Sequence, residues 1–216
     1  MSRLNPWWIA FAQWRGMLVL GSVLLCTCEL AQPQADQLDL KGRVLQQPIQ
    51  KIDFTLTTTD GRPFQFRKET DGFVTLLFFG YTYCPDVCPV HMANLASVLR
   101  KVPPEQASQI KVIFVTTDPE RDTPERLREW LSYFDRRFIG LVGSVEEVNQ
   151  IQGRLGLGAS YLEDRTSDGG YGVAHAAQVL AFTRDNLAHV VYPFGTRQSD
   201  WAHDLPKLVR ADTFAQ

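Results

Sequence analysis

The hydrophobic and polar positions change their period several times along the chain, and each change predicts a different element. Residues 52–59 and 62–67 alternate on either side of an Asp-Gly pair, a pattern that predicts a β-hairpin. Residues 74–79, Val-Thr-Leu-Leu-Phe-Phe, form a continuous apolar run that is typical of a buried central strand. From Pro89 onwards apolar residues recur at helical spacing, which predicts a helix after this strand.

Beyond this helix the chain continues to alternate between strand and helix patterns. Further strands are predicted at residues 110–117, 138–142, 178–183 and 189–192, the last two as a hairpin. Further helices are predicted to begin at Pro124, at the capping-box sequence 144–147 and at Ser199. This order predicts an α/β fold, a thioredoxin-like mixed sheet flanked by helices with an extra N-terminal β-hairpin. The glycine-rich residues 156–175 predict a mobile loop.

The N-terminal region has the composition of an export signal or a membrane anchor. Residues 17–28 are apolar or small and carry no charge, a run shorter than the roughly 20 residues that span a bilayer. The charged residues among positions 1–28 are Arg3 and Arg15, and their positive charge favours a cytoplasmic location for the N-terminus. Residues 1–28 are therefore predicted to be a signal peptide or a membrane anchor. The rest of the protein then faces the periplasm or the outer side of the cytoplasmic membrane.

Cys26 and Cys28 end this apolar run, and two interpretations of them stay open. Either one of them accepts a lipid, or both are inert within a cleaved or membrane-buried segment. Residues 29–48 are rich in Gln and contain no aromatic residue, which predicts a polar stalk between the membrane and the domain. Residues 49–216 are then predicted to form the folded domain.

The overall composition narrows the functional classes. The chain has 216 residues, of which 44% are hydrophobic and 21% are charged, and these values exclude a wholly disordered or collagen-like protein. Its formal net charge of −2 gives no general attraction to nucleic acid. The 4 cysteines are too few for a small disulfide-stapled scaffold, and they fall into two close pairs.

The second cysteine pair, Cys84 and Cys88, lies where the buried strand is predicted to pass into the helix. Two thiols near a helix N-terminus can face the same side, and the helix end favours their thiolate forms. Such a pair can close a disulfide or bind a soft metal ion such as Cu(I) with an added imidazole. Two buried structural cysteines are the simpler alternative. His91 is one candidate third ligand, although a solvated histidine on the helix surface is the favoured interpretation.

Three motifs resemble the Sco/SenC family of copper proteins. They are Phe-Phe-Gly-Tyr-Thr-Tyr-Cys-Pro-Asp-Val-Cys-Pro at 78–89, Val-Thr-Thr-Asp-Pro-Glu-Arg-Asp-Thr-Pro at 115–124, and Tyr-Gly-Val-Ala-His-Ala-Ala-Gln-Val around His175. The resemblance implies a thioredoxin-like domain, tethered to a membrane, that binds copper as Cu(I) or Cu(II). The implied ligands are Cys84, Cys88 and His175. From the glycine-rich loop we expect the cysteines to hold the metal first and the loop then to deliver His175.

The resemblance also implies a role in maturing the binuclear copper centre of cytochrome c oxidase. The protein would be a metallochaperone rather than an enzyme, and its partners would be the copper-bearing oxidase subunit and other copper chaperones or thiol reductants. The alternative is a membrane-tethered thiol–disulfide oxidoreductase that keeps the oxidase cysteines reduced, with Cys84 and Cys88 as its redox pair.

Two positions depart from the family pattern. Ala174 stands where the family usually has Asp before the histidine, and Tyr83 stands where many relatives have His. Outside the ligand set, Asp118 is expected to help hold the loop that faces the cysteines, and an N-cap or turn role explains it equally well. His189 and His203 are expected to be surface histidines.

Overall fold

The computed structural model describes residues 39–165 and 170–211. Its strands are β1 (Arg43–Gln50), β2 (Thr55–Thr58), β3 (Pro63–Gln65), β4 (Val74–Gly80), β5 (Ile110–Thr116), β6 (Ile139–Val142), β7 (Tyr161–Arg165), β8 (Tyr171–Ala174), β9 (Val179–Phe182) and β10 (Leu187–Tyr192). Its helices are α1 (Phe66–Glu69), α2 (Val87–Leu99), α3 (Pro104–Ala107), α4 (Pro124–Ser132), α5 (Val145–Arg154) and α6 (Gln198–Arg210).

Within this described part, eight strands form one mixed sheet in the order β1-β10-β9-β4-β5-β6-β2-β3. The β4/β5 and β5/β6 pairs are parallel, and the other pairs of this sheet are antiparallel. Helices pack on both faces, which confirms the predicted thioredoxin-like architecture. The predicted N-terminal hairpin is β2–β3, where Gly61 adopts a φ of 81° in the turn.

The central strand β4 positions the candidate site. All seven of its residues are buried because both faces of the sheet are covered. Leu76 and Phe78 pack into the layer that contains α2, α4 and α6, whereas Leu77 and Phe79 pack into the layer that contains α5. At its carboxyl end β4 passes through a short turn into α2, a position where functional groups gather in sheets of this kind.

The edge strand β1 lies partly within the segment for which the sequence predicts a stalk. Its residues are mostly exposed, and it pairs antiparallel with β10 at the sheet edge. Leu45 and Ile49 pack against the core layer that contains α5, but a register shift between Val44 and Ile49 breaks the regular alternation of the strand. An edge position also tolerates Pro48, because proline has no backbone N–H to donate to a neighbouring strand.

The glycine-rich segment predicted as a mobile loop contains the hairpin β7–β8 instead. The base of this hairpin is tied to α5: Asn149 exchanges hydrogen bonds with the backbone of Ser160, and Gln152 donates to the carbonyl of Gly158. The residue types of the segment do not reveal these contacts, because their partners lie in a separate helix. Because β8 ends at Ala174, the candidate ligand His175 directly follows an ordered strand.

Candidate metal centre

Three soft or borderline donor atoms converge beyond the carboxyl end of β4. Cys84 lies in the turn after the strand, Cys88 lies in the first turn of α2, and His175 follows β8. The His175 Nε2 atom is 3.8 Å from the Cys84 Sγ and 3.6 Å from the Cys88 Sγ. The three donor atoms lie within 4.8 Å of one another. The structure therefore brings together the three residues that the family resemblance implied.

The two cysteines differ in electrostatic environment although both are free and buried. The pKa of the Cys84 thiol is lowered to about 3, first by a hydrogen bond from the Cys88 thiol and then by the His175 side chain and backbone N–H groups. Burial raises the pKa of the Cys88 thiol well above its ordinary value, and the neighbouring Cys84 adds to this rise. Cys84 is therefore the more acidic thiol of the pair, and the structure shows its sulfur accepting a bond from the Cys88 backbone N–H at 3.5 Å.

Gly80, the last residue of β4, makes room for the Cys88 sulfur. A Cβ atom at this position would lie 2.5 Å from the Cys88 Sγ and 2.8 Å from a ring carbon of Phe78. Both distances are shorter than real Cβ contacts, so the sulfur lies against the backbone where only glycine leaves space. Gly80 belongs to the quoted cysteine motif, but the sequence offered no reason to assign it this role.

Asp122 organises the turn that carries Cys84. Its buried carboxylate accepts hydrogen bonds from the Thr82 backbone N–H at 2.9 Å, the Thr82 hydroxyl at 2.6 Å and the Thr116 hydroxyl at 2.7 Å. These bonds join the ends of the adjacent strands β4 and β5 to the cysteine turn. In the sequence, the one signal for Asp122 is its place in the second family motif, at 115–124.

Asp118 and Arg121 hold the start of β8, as expected in outline for Asp118. The Arg121 guanidinium pairs with the Asp118 carboxylate and lies 3.5 Å over the Tyr171 ring. It also donates to the Tyr171 carbonyl at 3.0 Å, while the Tyr171 hydroxyl donates to Asp118 at 3.1 Å. The strand that leads to His175 is thus fastened to the loop that follows β5.

The His175 ring is oriented by its own backbone segment and by aromatic neighbours. Its Nδ1 atom lies 3.2 Å from the Ala176 carbonyl oxygen, which requires a hydrogen on Nδ1 and directs Nε2 toward the sulfurs. Phe78 and Tyr81 contact the ring edge-to-face at 5.8 and 5.6 Å between centroids. A backbone carbonyl is one of the usual partners that orient a metal-ligating histidine, and here it belongs to Ala176.

His91 lies in the core, so the expectation of a solvated histidine is wrong. Its side chain is 1% exposed, and its ring packs against Phe78, Phe194 and Trp201. Its Nε2 atom lies 3.0 Å from the Ala177 carbonyl oxygen, and His91 is not part of the three-residue donor group. The helical spacing placed it on the correct flank of α2 but could not show which partner it takes.

The two remaining histidines have structural partners away from the donor group. His189 is 5% exposed and its Nε2 lies 2.7 Å from the Asp185 carboxylate, so the prediction of a surface position is wrong. His203 is partly exposed and lies between the carboxylates of Asp39 and Asp204.

Tyr83 is exposed beside the site. The predictions for Cys26 and Cys28 concern residues outside the part of the chain that the structure describes.

The donor set and its spacing fit a thiophilic metal ion. Metal–sulfur and metal–nitrogen bonds of about 2.3 and 2.0 Å, with ligands about 110–120° apart, put sulfur and nitrogen about 3.5–3.7 Å apart. The separations of 3.6 and 3.8 Å between the His175 Nε2 and the two sulfurs are close to this requirement. Two thiolates and one imidazole are soft enough for Cu(I).

Among the helices that the structure describes, none is long and apolar enough to cross a bilayer.

Comparison with known proteins agrees with this geometry. The SCO1/SenC family model matches residues 43–210. A Stutzerimonas stutzeri protein named for copper binding is 34% identical over 167 residues, which cover 76% of this chain and 79% of that protein. The match to the longer mitochondrial SCO1 homolog 1 of Arabidopsis thaliana, at 32% identity, covers 57% of this chain but 36% of that protein.

Solved structures show the same likeness. The solution structure of apo Sco1 from Thermus thermophilus superposes with a TM-score of 0.69 at 31% identity, covering 80% of this chain and 99% of that chain. The structure of Bradyrhizobium japonicum ScoI with copper bound superposes with a TM-score of 0.63 at 33% identity, covering 73% of this chain and 98% of that chain. With its family motifs, its fold and its converging thiol and imidazole groups, this chain belongs to the SCO1/SenC family.

Proposed function

We propose that this protein is a copper metallochaperone that binds copper through Cys84, Cys88 and His175 and delivers it to the binuclear copper centre of cytochrome c oxidase. The observation that carries the proposal is the meeting of the two sulfurs and the His175 Nε2 at metal-ligand spacing. The structure of the Bradyrhizobium ScoI relative with copper bound supports copper as the metal. The delivery target rests on the family resemblance.

The three donors also suit release of the metal. Cys84 is already ionised in the metal-free protein, whereas Cys88 must lose its proton when copper binds. His175 reaches the site from a different part of the chain than the cysteine turn, so its bond can break without moving the two sulfurs. Copper held by two thiolates can then accept a ligand from a partner before it leaves, which is a route of stepwise ligand exchange.

Competition with a Cu(I)-specific chromophoric chelator tests the binding part of the proposal. The reduced wild-type protein should bind one Cu(I), and Cys84→Ser, Cys88→Ser and His175→Ala should each weaken binding by tenfold or more. Cys26→Ser with Cys28→Ser, and His203→Ala, are the matched controls because they remove the same groups elsewhere. Equal affinity in the wild type and in the three site variants would reject the proposed ligands.

A transfer experiment tests the target. The copper-loaded protein is mixed with the reduced, copper-free copper-bearing subunit of the oxidase, and the copper content of the re-isolated subunit is measured. The subunit should gain copper with the wild-type protein but not with Cys84→Ser. If free Cu(I) loads the subunit equally well under the same chelator buffering, the delivery role is rejected.

A thiol–disulfide oxidoreductase is the second candidate, and the unequal thiol pair favours it. A Cys84 thiolate beside a neutral Cys88 thiol is the arrangement that starts disulfide exchange. In that reaction Cys84 attacks a target disulfide, Cys88 resolves the mixed disulfide, and the target leaves with two reduced cysteines. Disulfide exchange by the metal-free protein that persists in His175→Ala would favour this candidate, since exchange needs no distant imidazole.

The N-terminal region completes the proposal. Residues 1–28 act as a signal peptide or membrane anchor that places the domain on the outer side of the cytoplasmic membrane. Membrane fractionation of the wild type and of Cys26→Ser and Cys28→Ser separates the routes. Loss of membrane retention in one cysteine variant indicates a lipid anchor, whereas retention in both indicates the apolar segment itself.

A further inference from the structure

The side chain of His91 connects the helix of one candidate ligand to the chain segment of another. His91 lies one turn after Cys88 on α2, and its Nε2–H donates to the Ala177 carbonyl oxygen at 3.0 Å. Ala177 is two residues past His175, in the segment between β8 and β9. The hydrogen bond therefore spans 86 positions in the sequence and joins the two halves of the donor group.

The buried position of His91 is costly, which argues for more than filling space. The ring is 1% exposed, and among the described residues its Nδ1 atom has no hydrogen-bond partner. A buried nitrogen without a partner loses its hydration and gains nothing in return. An apolar side chain of similar size would avoid that cost among Phe78, Phe194 and Trp201. The one polar gain at this position is the bond to Ala177.

The segment that this bond holds is short and irregular. Residues 175–178 leave β8 and enter β9 without belonging to either strand. Before His175, the chain is held by the pairing of β8 with β7 and by Arg121 on Tyr171. After His175, the strand β9 is anchored in the sheet from Val179 onwards. The His91 bond falls between these two anchors, beside the ligand itself.

We infer that His91 is a positioning residue for copper binding, whose Nε2–H···O=C bond to Ala177 holds His175 against the two sulfurs before the metal arrives. The inference rests on the proposed ligand role of His175. Without this bond the imidazole becomes ordered only when copper binds, and the entropy lost in that ordering lowers the affinity for copper. Removal of one neutral hydrogen bond of this kind is expected to lower Cu(I) affinity by about two- to tenfold.

Two substitutions separate the hydrogen bond from the packing. His91→Leu keeps a buried apolar side chain and removes the donor, whereas His91→Gln supplies an amide N–H that can reach the same carbonyl. His91→Leu should weaken Cu(I) binding two- to tenfold in chelator competition, and His91→Gln should restore most of the affinity. In a His175→Ala background, His91→Leu should have no further effect on affinity, because the segment then delivers no ligand.

A readout without metal distinguishes failure of this inference from failure of the proposed function. Amide hydrogen exchange of residues 175–178 in the reduced, metal-free protein should accelerate in His91→Leu but not in His91→Gln. Equal amide exchange rates in the wild type and in His91→Leu would show that the His91–Ala177 bond does not hold this segment, whatever the copper data show. Faster exchange with unchanged copper affinity would overturn the role in binding, and equal affinity of the wild type and His175→Ala would reject the ligand role itself.

Discussion

Substitution of Gly80 by Ala tests whether the Cys88 sulfur is confined as the structure shows. The added Cβ would lie 2.5 Å from the Cys88 Sγ, whereas ordinary contacts begin at about 3.4 Å. The sulfur or the backbone must therefore move by about 0.9 Å. Metal sites tolerate ligand displacements of about 0.2 Å, so the required movement is several times too large for an unchanged site.

The expected result has a stability part and a copper part. Forcing a methyl group into this packed layer should lower the free energy of unfolding by about 1–3 kcal/mol. Displacement of one sulfur should lower Cu(I) affinity by tenfold or more and should reduce the sulfur count seen by X-ray absorption. Denaturant unfolding of the metal-free protein and chelator competition of the reduced protein measure the two parts separately.

Gly153→Ala is the matched control because it makes the same chemical change where there is room. Gly153 is an exposed residue of α5, and an added Cβ meets nothing within 4 Å. Removing a helical glycine should raise the free energy of unfolding by about 0.5–1 kcal/mol and leave copper binding unchanged. If Gly80→Ala also retains wild-type stability and copper affinity, the confinement of Cys88 by β4 is refuted.

Three further predictions follow from buried ionisable groups. Because the pKa of Cys84 is about 3, iodoacetamide should alkylate Cys84 before Cys88, at a rate that stays flat from pH 5 to 8, and a tenfold fall per pH unit would contradict this. Burial lowers the Lys51 pKa from 10.5 to about 8, so between these values the unfolded chain holds a proton that the folded protein has lost. The free energy of unfolding of the wild type, relative to Lys51→Met, should therefore rise by up to about 3 kcal/mol from pH 8 to 10.5, and parallel pH profiles would refute it. Asp122→Asn should cost about 1–3 kcal/mol in denaturant unfolding, because an amide N–H₂ cannot accept all three bonds from Thr82 and Thr116, and wild-type stability would contradict the assigned role.

The sheet and most helices could be predicted because their determinants are local. The continuous apolar run of β4 follows from burial on both faces, and the predicted capping box at the start of α5 is present, with Ser144 and Glu147 bonding each other's backbone. The edge strand β1 was harder to predict because its pairing with β10 leaves little trace in its own side chains. The β7–β8 hairpin was missed because glycine content masked a strand pair tied down by α5.

The candidate site, too, could be predicted from the sequence only in part. The spacing of Cys84 and Cys88 and their place between a strand and a helix pointed to chemistry, while the selection of His175 needed the family resemblance. His91 illustrates what spacing cannot decide. Its helical register is compatible with a ligand, a solvated residue or a core residue, and only the packing of α2 against Phe194 and Trp201 selects the core.

X-ray absorption spectroscopy of the Cu(I)-loaded full chain reads the number and type of metal ligands. The wild type should show a copper shell of two sulfurs and one imidazole nitrogen. His175→Ala should show two sulfurs without that nitrogen. A wild-type shell with fewer than two sulfurs, or a shell that does not change when His175 is replaced, would contradict copper binding by Cys84, Cys88 and His175.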